Sequence, residues 1–221
     1  MRPDLADTWQ RMRVEARAAD MGIDRAVYQA AGLAWDEPVL LGSGSLDAPV
    51  GFMGRDPGRH EILLREPFVG AGGRMIRDEL HRRRHGCPAP DQQAATAVGR
   101  DWFWCNTVPY KPLKNKAWSM SVKRRFAPMI AAVLVQHWRG HHLVTCGREA
   151  LDWFRILAPD LTGVLRDGWM NSGDFSRSLS IDFLGKTFHL HPLPHPSPLN
   201  ARWHRRFPDL LRAKLDALPT R

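Results

Sequence analysis

What most constrains this chain is a set of short apolar runs, each followed by a loop rich in glycine, proline or asparagine and then by a stretch of helical spacing. PVGFMG (49–54), WFWCN (102–106) and HLVTC (142–146) read as buried strands. LSIDF and TFHLH, joined by LGK, read as a further pair of strands. GGRMIRDELHRRR puts Met75, Ile76 and Leu80 on one helical face, and Gly147 opens the helix REALDWFRIL. A helix covers about Lys123–Trp138, with Pro128 placed in its first turns, where a missing N–H is tolerated. Residues 4–32 read as two amphipathic helices broken near Gly22, residues 85–100 as a polar loop, and about 207–218 as a last helix. Strands alternating with helices indicate an α/β fold with a mainly parallel sheet. The chain of 221 residues fits one domain, 1–221, with residues 1–48 as a helical segment packed on it.

Charge narrows the partners. The formal net charge is +9, which points to a polyanion, with nucleic acid ahead of an acidic membrane surface. A merely solvated basic surface would give the same balance. The three cysteines, Cys87, Cys105 and Cys146, are widely spaced and lack a Cys-x-x-Cys pair, so they read as buried, reduced thiols rather than metal ligands. The N-terminus shows no apolar signal region. No apolar run approaches the ~18 residues of a membrane span. The expectation is a cytoplasmic monomer that engages no membrane.

In an open α/β sheet the site forms beyond the carboxyl ends of the strands, so the loops there carry the chemistry. After the first strand comes GRDPGRHEILLREPFVGAGG, with Asp56 in a tight turn and Phe68 in a glycine-rich setting. An Asp-Pro-Gly turn would equally use Asp56 as a cap, and Phe68 could anchor a core. Asn106 ends the second strand. Its amide can donate and accept side by side, which suits a base edge, but it can also fasten a turn. Lys111, Lys114 and Lys116 follow, interleaved with Tyr110 and Trp118, a mixture that suits phosphate contact and base stacking as well as a solvated loop. The last strand leads into HPLPHPSPLNARW, His191–Trp203, a stiff loop carrying His195, Ser197, Leu199 and Arg202.

GRDPG, PFVGAGG, WCN and HPSPLN, in that order across roughly Val50–Arg206, resemble the motifs of the uracil-DNA glycosylase superfamily. PFVGAGG is most similar to the iron–sulfur branch (family 4), and GRDPG with HPSPL to the first and last motifs of the superfamily, a pattern hybrid between family 4 and family 1. The resemblance implies a three-layer α/β/α sandwich around a mainly parallel four-stranded sheet. It implies a DNA repair enzyme that flips uracil out of the duplex, hydrolyses its N-glycosidic bond and leaves an abasic site. Residue by residue, Asp56 matches the aspartate that handles the attacking water and His195 the histidine that stabilises the departing base. Phe68 matches the stacking aromatic and Asn106 the asparagine that reads the uracil edge, with Gly54, Arg55 and Gly58 in the base-binding loop. Ser197 falls among phosphate-contacting residues and Leu199 matches the wedge that fills the vacated stack, with Lys111, Lys114, Lys116 and Arg202 as further DNA contacts.

The chain departs from the pattern at three points. The iron–sulfur branch uses four cysteines, two before the first motif, whereas none precedes Cys87 here, so no cluster, metal or other cofactor is expected. Gly58 stands where the classical branch has a tyrosine that bars the thymine methyl. Glu61 falls in the region where the iron–sulfur branch carries an acidic residue, and is a second candidate for handling water. The competing readings are a glycosylase for hypoxanthine, xanthine or thymine opposite guanine, a catalytically silent damage-binding module, and an unrelated basic α/β enzyme. The silent module would lack Asp56 or His195. The unrelated enzyme would carry a phosphate loop or paired carboxylates for a metal, and neither is found.

Overall fold

The computed structural model describes residues 4–19, 21–170 and 175–218. Six strands among them form one sheet: β1 (Ser43–Gly44), β2 (Val50–Gly54), β3 (Phe103–Asn106), β4 (His142–Cys146), β5 (Leu179–Phe183) and β6 (Lys186–Leu193). Their order is β1-β3-β2-β4-β6-β5. β3, β2, β4 and β6 run parallel, while β1 and β5 pair antiparallel at the two edges. The expected four-stranded sheet is therefore corrected to six, with a four-stranded parallel centre. β1 is a two-residue strand, too short to leave a period, and β5 is the hairpin partner of β6.

The central strands are buried on both faces, as parallel strands between helices must be. Alternation then sorts their side chains into two apolar layers. Met53, Phe103, Cys105, Leu143, Phe188 and Leu190 face one layer with residues of α1 (Leu5–Ala18), α2 (Arg25–Ala30) and α6 (Met120–Ala132). Val50, Phe52, Trp104, Val144 and Leu193 face the other with α4 (Ala71–His85), α5 (Gln92–Gly99) and α10 (Phe207–Asp216). Helices thus cover both faces, as expected.

Several local expectations change. Residues 85–100 are not a loop throughout, since α5 starts on Asp91, whose side chain accepts from Ala94 N–H at 2.8 Å and replaces a missing helical bond. The loop after β2 contains a short helix, α3 (Arg59–Leu64), that buries Ile62. REALDWFRIL is α7 (Arg148–Asp152) followed by a tighter 3₁₀ turn, and α8 (Thr162–Met170) lies in a stretch without a clear sequence signal. The helix expected over 123–138 starts at Met120, capped by Ser119, and ends in a π turn at Val133–His137. Pro128 lies well inside α6 rather than near its start. Both Pro128 and Arg124, whose carbonyl loses its helical partner there, are exposed, so the break falls on the solvent side of the helix. Cys105 and Cys146 are buried in opposite layers, but Cys87 is exposed, against the expectation of three buried thiols.

Candidate active site

Because β2, β3, β4 and β6 are parallel, the loops after them leave the sheet on one side. They enclose a cleft of about 770 Å³ whose walls include Gly54, Asp56, Phe68, Asn106, His195 and Leu199. Arg55, Gly58, Glu61 and Ser197 also line it. Residues spread over about 140 positions of the chain are thus gathered by strand direction alone.

Gly54 and Asn106 are register partners at the ends of β2 and β3. The turn beyond them is fastened by Thr107. Its N–H donates to the carbonyls of Gly54 (3.0 Å) and Arg55 (2.9 Å), and its hydroxyl to Arg55 at 2.6 Å. Asn106 is only 5% exposed, yet its side-chain amide bonds to none of the described residues. A side chain at Gly54 would meet the Phe68 ring at 2.6 Å and the Asn106 amide nitrogen at 3.4 Å. Glycine there keeps open a slot with an aromatic ring on one wall and an unused amide on another.

Asp56 follows that slot. Its side chain is buried, with Arg55 Nε 2.9 Å from one carboxylate oxygen but not aligned as a hydrogen bond, so neither oxygen accepts one from the described residues. Burial raises its pKa to about 7, opposed by the charges of Arg55 and Lys123. Lys123, buried on α6, pairs with Glu149 at the start of α7. An under-bonded carboxylate at the wall of a cleft is a group poised to take a proton from water.

His195 projects into the cleft from the proline loop. Ser197 N–H donates to its Nδ1 at 3.2 Å. That bond assigns Nδ1 as acceptor and leaves the proton on Nε2. Although the residue as a whole is exposed, desolvation by the protein packed around the ring, and secondly the Arg55 charge, push its pKa below the ordinary histidine value, so the ring is neutral near pH 7 and offers an uncharged N–H donor. Asn200 Nδ2 braces the His195 carbonyl (3.1 Å), and Leu199 N–H donates to Ser197 Oγ (3.2 Å). A side chain at Gly147, whose φ is +99°, would crowd the His195 Cβ at 3.2 Å. Leu199 is 96% exposed, an apolar side chain held into solvent by a bonded loop.

Glu61 binds the loop rather than standing free in it. Its Oε1 accepts from Gly70 N–H at 2.9 Å, and its Oε2 lies 2.6 Å from where a Gly58 Cβ would be. A carboxylate therefore occupies the space beside Gly58, and any larger residue at 58 would have to displace it.

The basic loop after β3 divides. Lys111 is buried and ion-paired with Asp24 at 3.0 Å, which corrects its expected contact with phosphate: its charge is already spent inside the protein. Tyr110 and Trp118 are buried too, bonded to the Asp36 and Tyr110 carbonyls, and so are core rather than stacking residues. Lys114, Lys116 and Arg202 are exposed outside the cleft, with Arg202 4.9 Å over the Trp203 ring. Thr107, Lys123 and Glu149 were not singled out by the sequence. Glu149 stands just beyond the β4 end, where the strand-end rule could have found it, while Lys123 sits in a helix and gives no such signal.

Among the described residues no group of three histidine, cysteine, aspartate or glutamate side chains is arranged to hold a metal ion. Nor is any helix long and apolar enough to cross a membrane. Burial pushes the Cys105 and Cys146 thiols up to about 12, so neither is a nucleophile at neutral pH. The family model described as "Uracil DNA glycosylase superfamily" matches residues 41–218. No curated protein matches the chain significantly.

Proposed function

As the chain belongs to the uracil DNA glycosylase superfamily, we propose that it is a monofunctional DNA repair glycosylase that excises uracil and leaves an abasic site. The observation that carries this reading is the side chain of Asn106, which lines the cleft beside the Phe68 ring with its amide bonded to none of the described residues. An amide that spends neither its donor nor its acceptor inside the fold is free to pair with a base edge entering the cleft. Uracil offers an acceptor at O4 and a donor at N3, which match the amide N–H₂ and carbonyl.

The target base is stacked inside the duplex and must be flipped into the cleft. Leu199 would fill the vacated stack, while Lys114, Lys116 and Arg202 hold phosphates. The C1′–N1 bond breaks with its electron pair leaving on the base, so uracil departs as an anion and C1′ becomes cationic. His195 Nε2–H donates to O2 as that negative charge grows. One such donor is typically worth ~3 kcal/mol, roughly a hundredfold in rate. Ionised Asp56 stabilises the cation, directs water to C1′ and accepts the proton that the water gives up. These steps draw on side chains alone, and DNA is the partner of a chain acting as a monomer in the cytoplasm, at the nucleoid.

The test is incubation with a single-uracil oligonucleotide followed by alkaline cleavage, beside oligonucleotides bearing hypoxanthine, xanthine or thymine opposite guanine. Uracil should be released fastest, and His195→Ala should lose at least ~100-fold in single-turnover rate with little loss of DNA affinity. Faster release of another base would reassign the substrate within the superfamily. Tight binding to damaged DNA without release of any base would make the chain a silent damage-binding module.

A further inference from the structure

Phe68 has an unusual backbone. Its φ is +53°, in the left-handed region that an aromatic residue seldom adopts. A strained residue persists only where its surroundings over-determine it. Prominent among those surroundings is one buried side chain. Arg77, on α4, is 1% exposed. Its Nε donates to the Phe68 carbonyl at 3.0 Å and its Nη2 to the Pro67 carbonyl. Its Nη1 donates to the carbonyls of Ala95 (2.9 Å) and Thr96 (3.0 Å) on α5. The guanidinium also lies 4.9 Å over the Trp104 ring, whose centroid is 5.0 Å from that of Phe68.

Two glycines make room for this arrangement. A Cβ at Gly73 would meet the Phe68 carbonyl oxygen at 2.0 Å, and one at Gly99 would meet Arg77 Nη1 at 2.0 Å. The Phe68 turn is therefore pressed against α4 and bolted through one guanidinium to α5. Only a planar group with donors in several directions can reach both segments, and lysine, a point charge on a flexible stem, cannot.

We infer that Arg77 is the positioning residue for Phe68: it holds the ring at the wall of the base slot while touching no substrate itself. The inference rests on the glycosylase reading for the role of Phe68, but not for its geometry. A misplacement on the order of 1 Å at a reacting centre can cost about 100-fold in rate.

The test is a double-mutant cycle on the full chain. Arg77→Lys, checked for a cooperative melt, should lower single-turnover uracil release by roughly 10- to 100-fold. Added to Phe68→Ala it should cause no further loss, because both act through one ring. Added to Leu199→Ala, on another loop, its loss should multiply. Gly99→Ala, which displaces the guanidinium from behind, should reproduce the effect and covers the case in which Arg77→Lys does not fold. Amide exchange at Phe68 and Val69 should quicken in both variants. Losses that multiply with Phe68→Ala, or unchanged exchange at those amides, would overturn the inference. If the wild-type chain releases no base at all, the functional reading falls, and the exchange measurement alone decides whether Arg77 fixes Phe68.

Discussion

Thr107 donates both its backbone N–H and its hydroxyl to the carbonyl of Arg55, at 2.9 and 2.6 Å. The work of joining the β2 and β3 loops is thereby done next door to Asn106, whose side-chain amide bonds to none of the described residues. An asparagine that fastened the turn would have spent its own donor and acceptor there.

Asn106→Asp follows from that division of labour. It removes the amide donor to uracil O4 and supplies an oxygen that accepts from cytosine N4. If burial raises the new carboxyl's pKa, its protonated oxygen can also donate to cytosine N3. Each mispaired buried group costs roughly 1–3 kcal/mol. The variant should lose most uracil release and gain weak cytosine release, with a melting temperature close to wild type because Thr107 still holds the turn. Loss of activity together with stability, or normal uracil release with no cytosine release, would remove Asn106 from base reading.

On the proposed mechanism Asp56 should set the pH profile. Its pKa is raised to about 7, and the proposed reaction uses the carboxylate, so single-turnover release should climb tenfold per pH unit below about 7 and level off above it. The same shift has a stability sign. The folded state keeps a proton on Asp56 that the unfolded chain loses near pH 4, so stability falls as pH rises from about 4 to about 7 and levels off once Asp56 is ionised in both states. Asp56→Asn should therefore raise the melting temperature at pH 8 and leave it nearly unchanged at pH 4. A flat rate profile between pH 5 and 8 would contradict the assignment of the base.

Leu199 should distinguish duplex from single strand. Its side chain is solvent-exposed in the free protein, so truncation removes no core packing. Leu199→Ala should slow release from paired uracil more than from single-stranded uracil, because only the duplex has a stacking gap to fill. Equal slowing on both substrates would assign Leu199 another role.

A histidine pair on the neighbouring strands β4 and β6 should govern acid stability. His142 Nδ1 lies 3.1 Å from His191 Nε2, and His191 Nδ1 lies 2.8 Å from Ser178 Oγ. Burial first, then the charge of Lys214, pulls the His191 pKa down to about 3. The unfolded chain takes up this proton near pH 6.5 and the folded one does not, so stability falls steadily as pH drops from about 6.5 toward 3. His191→Gln should flatten the dependence of melting temperature on pH in that window, whatever it does to stability at pH 8. An unaltered slope would mean that other groups carry the acid sensitivity.

Much of this was legible in the sequence because it is local. Apolar runs such as VGFMG can only be buried strands, and glycine and proline mark the loops that end them, so the parallel α/β architecture and the loops bearing Asp56, Asn106 and His195 follow from spacing and residue type. β1 and α5 escaped because two residues leave no period and because α5 follows directly on Pro88 and Pro90 with small and polar residues that mimic a loop, while Asp91 alone supplies its start.

What the sequence could not decide is the direction and partner of each side chain. Lys111, Lys114 and Lys116 are equally basic as letters, yet Lys111 turns inward to Asp24 while the others face solvent. Arg77 reads as one more cation in an arginine-rich helix, yet its neighbours across the fold make it the bolt for Phe68. Residue type sets which chemistry a position can offer. Burial and hydrogen bonding between distant segments set whether that capacity is consumed inside the protein or left for a ligand, and those exist only once the chain has folded.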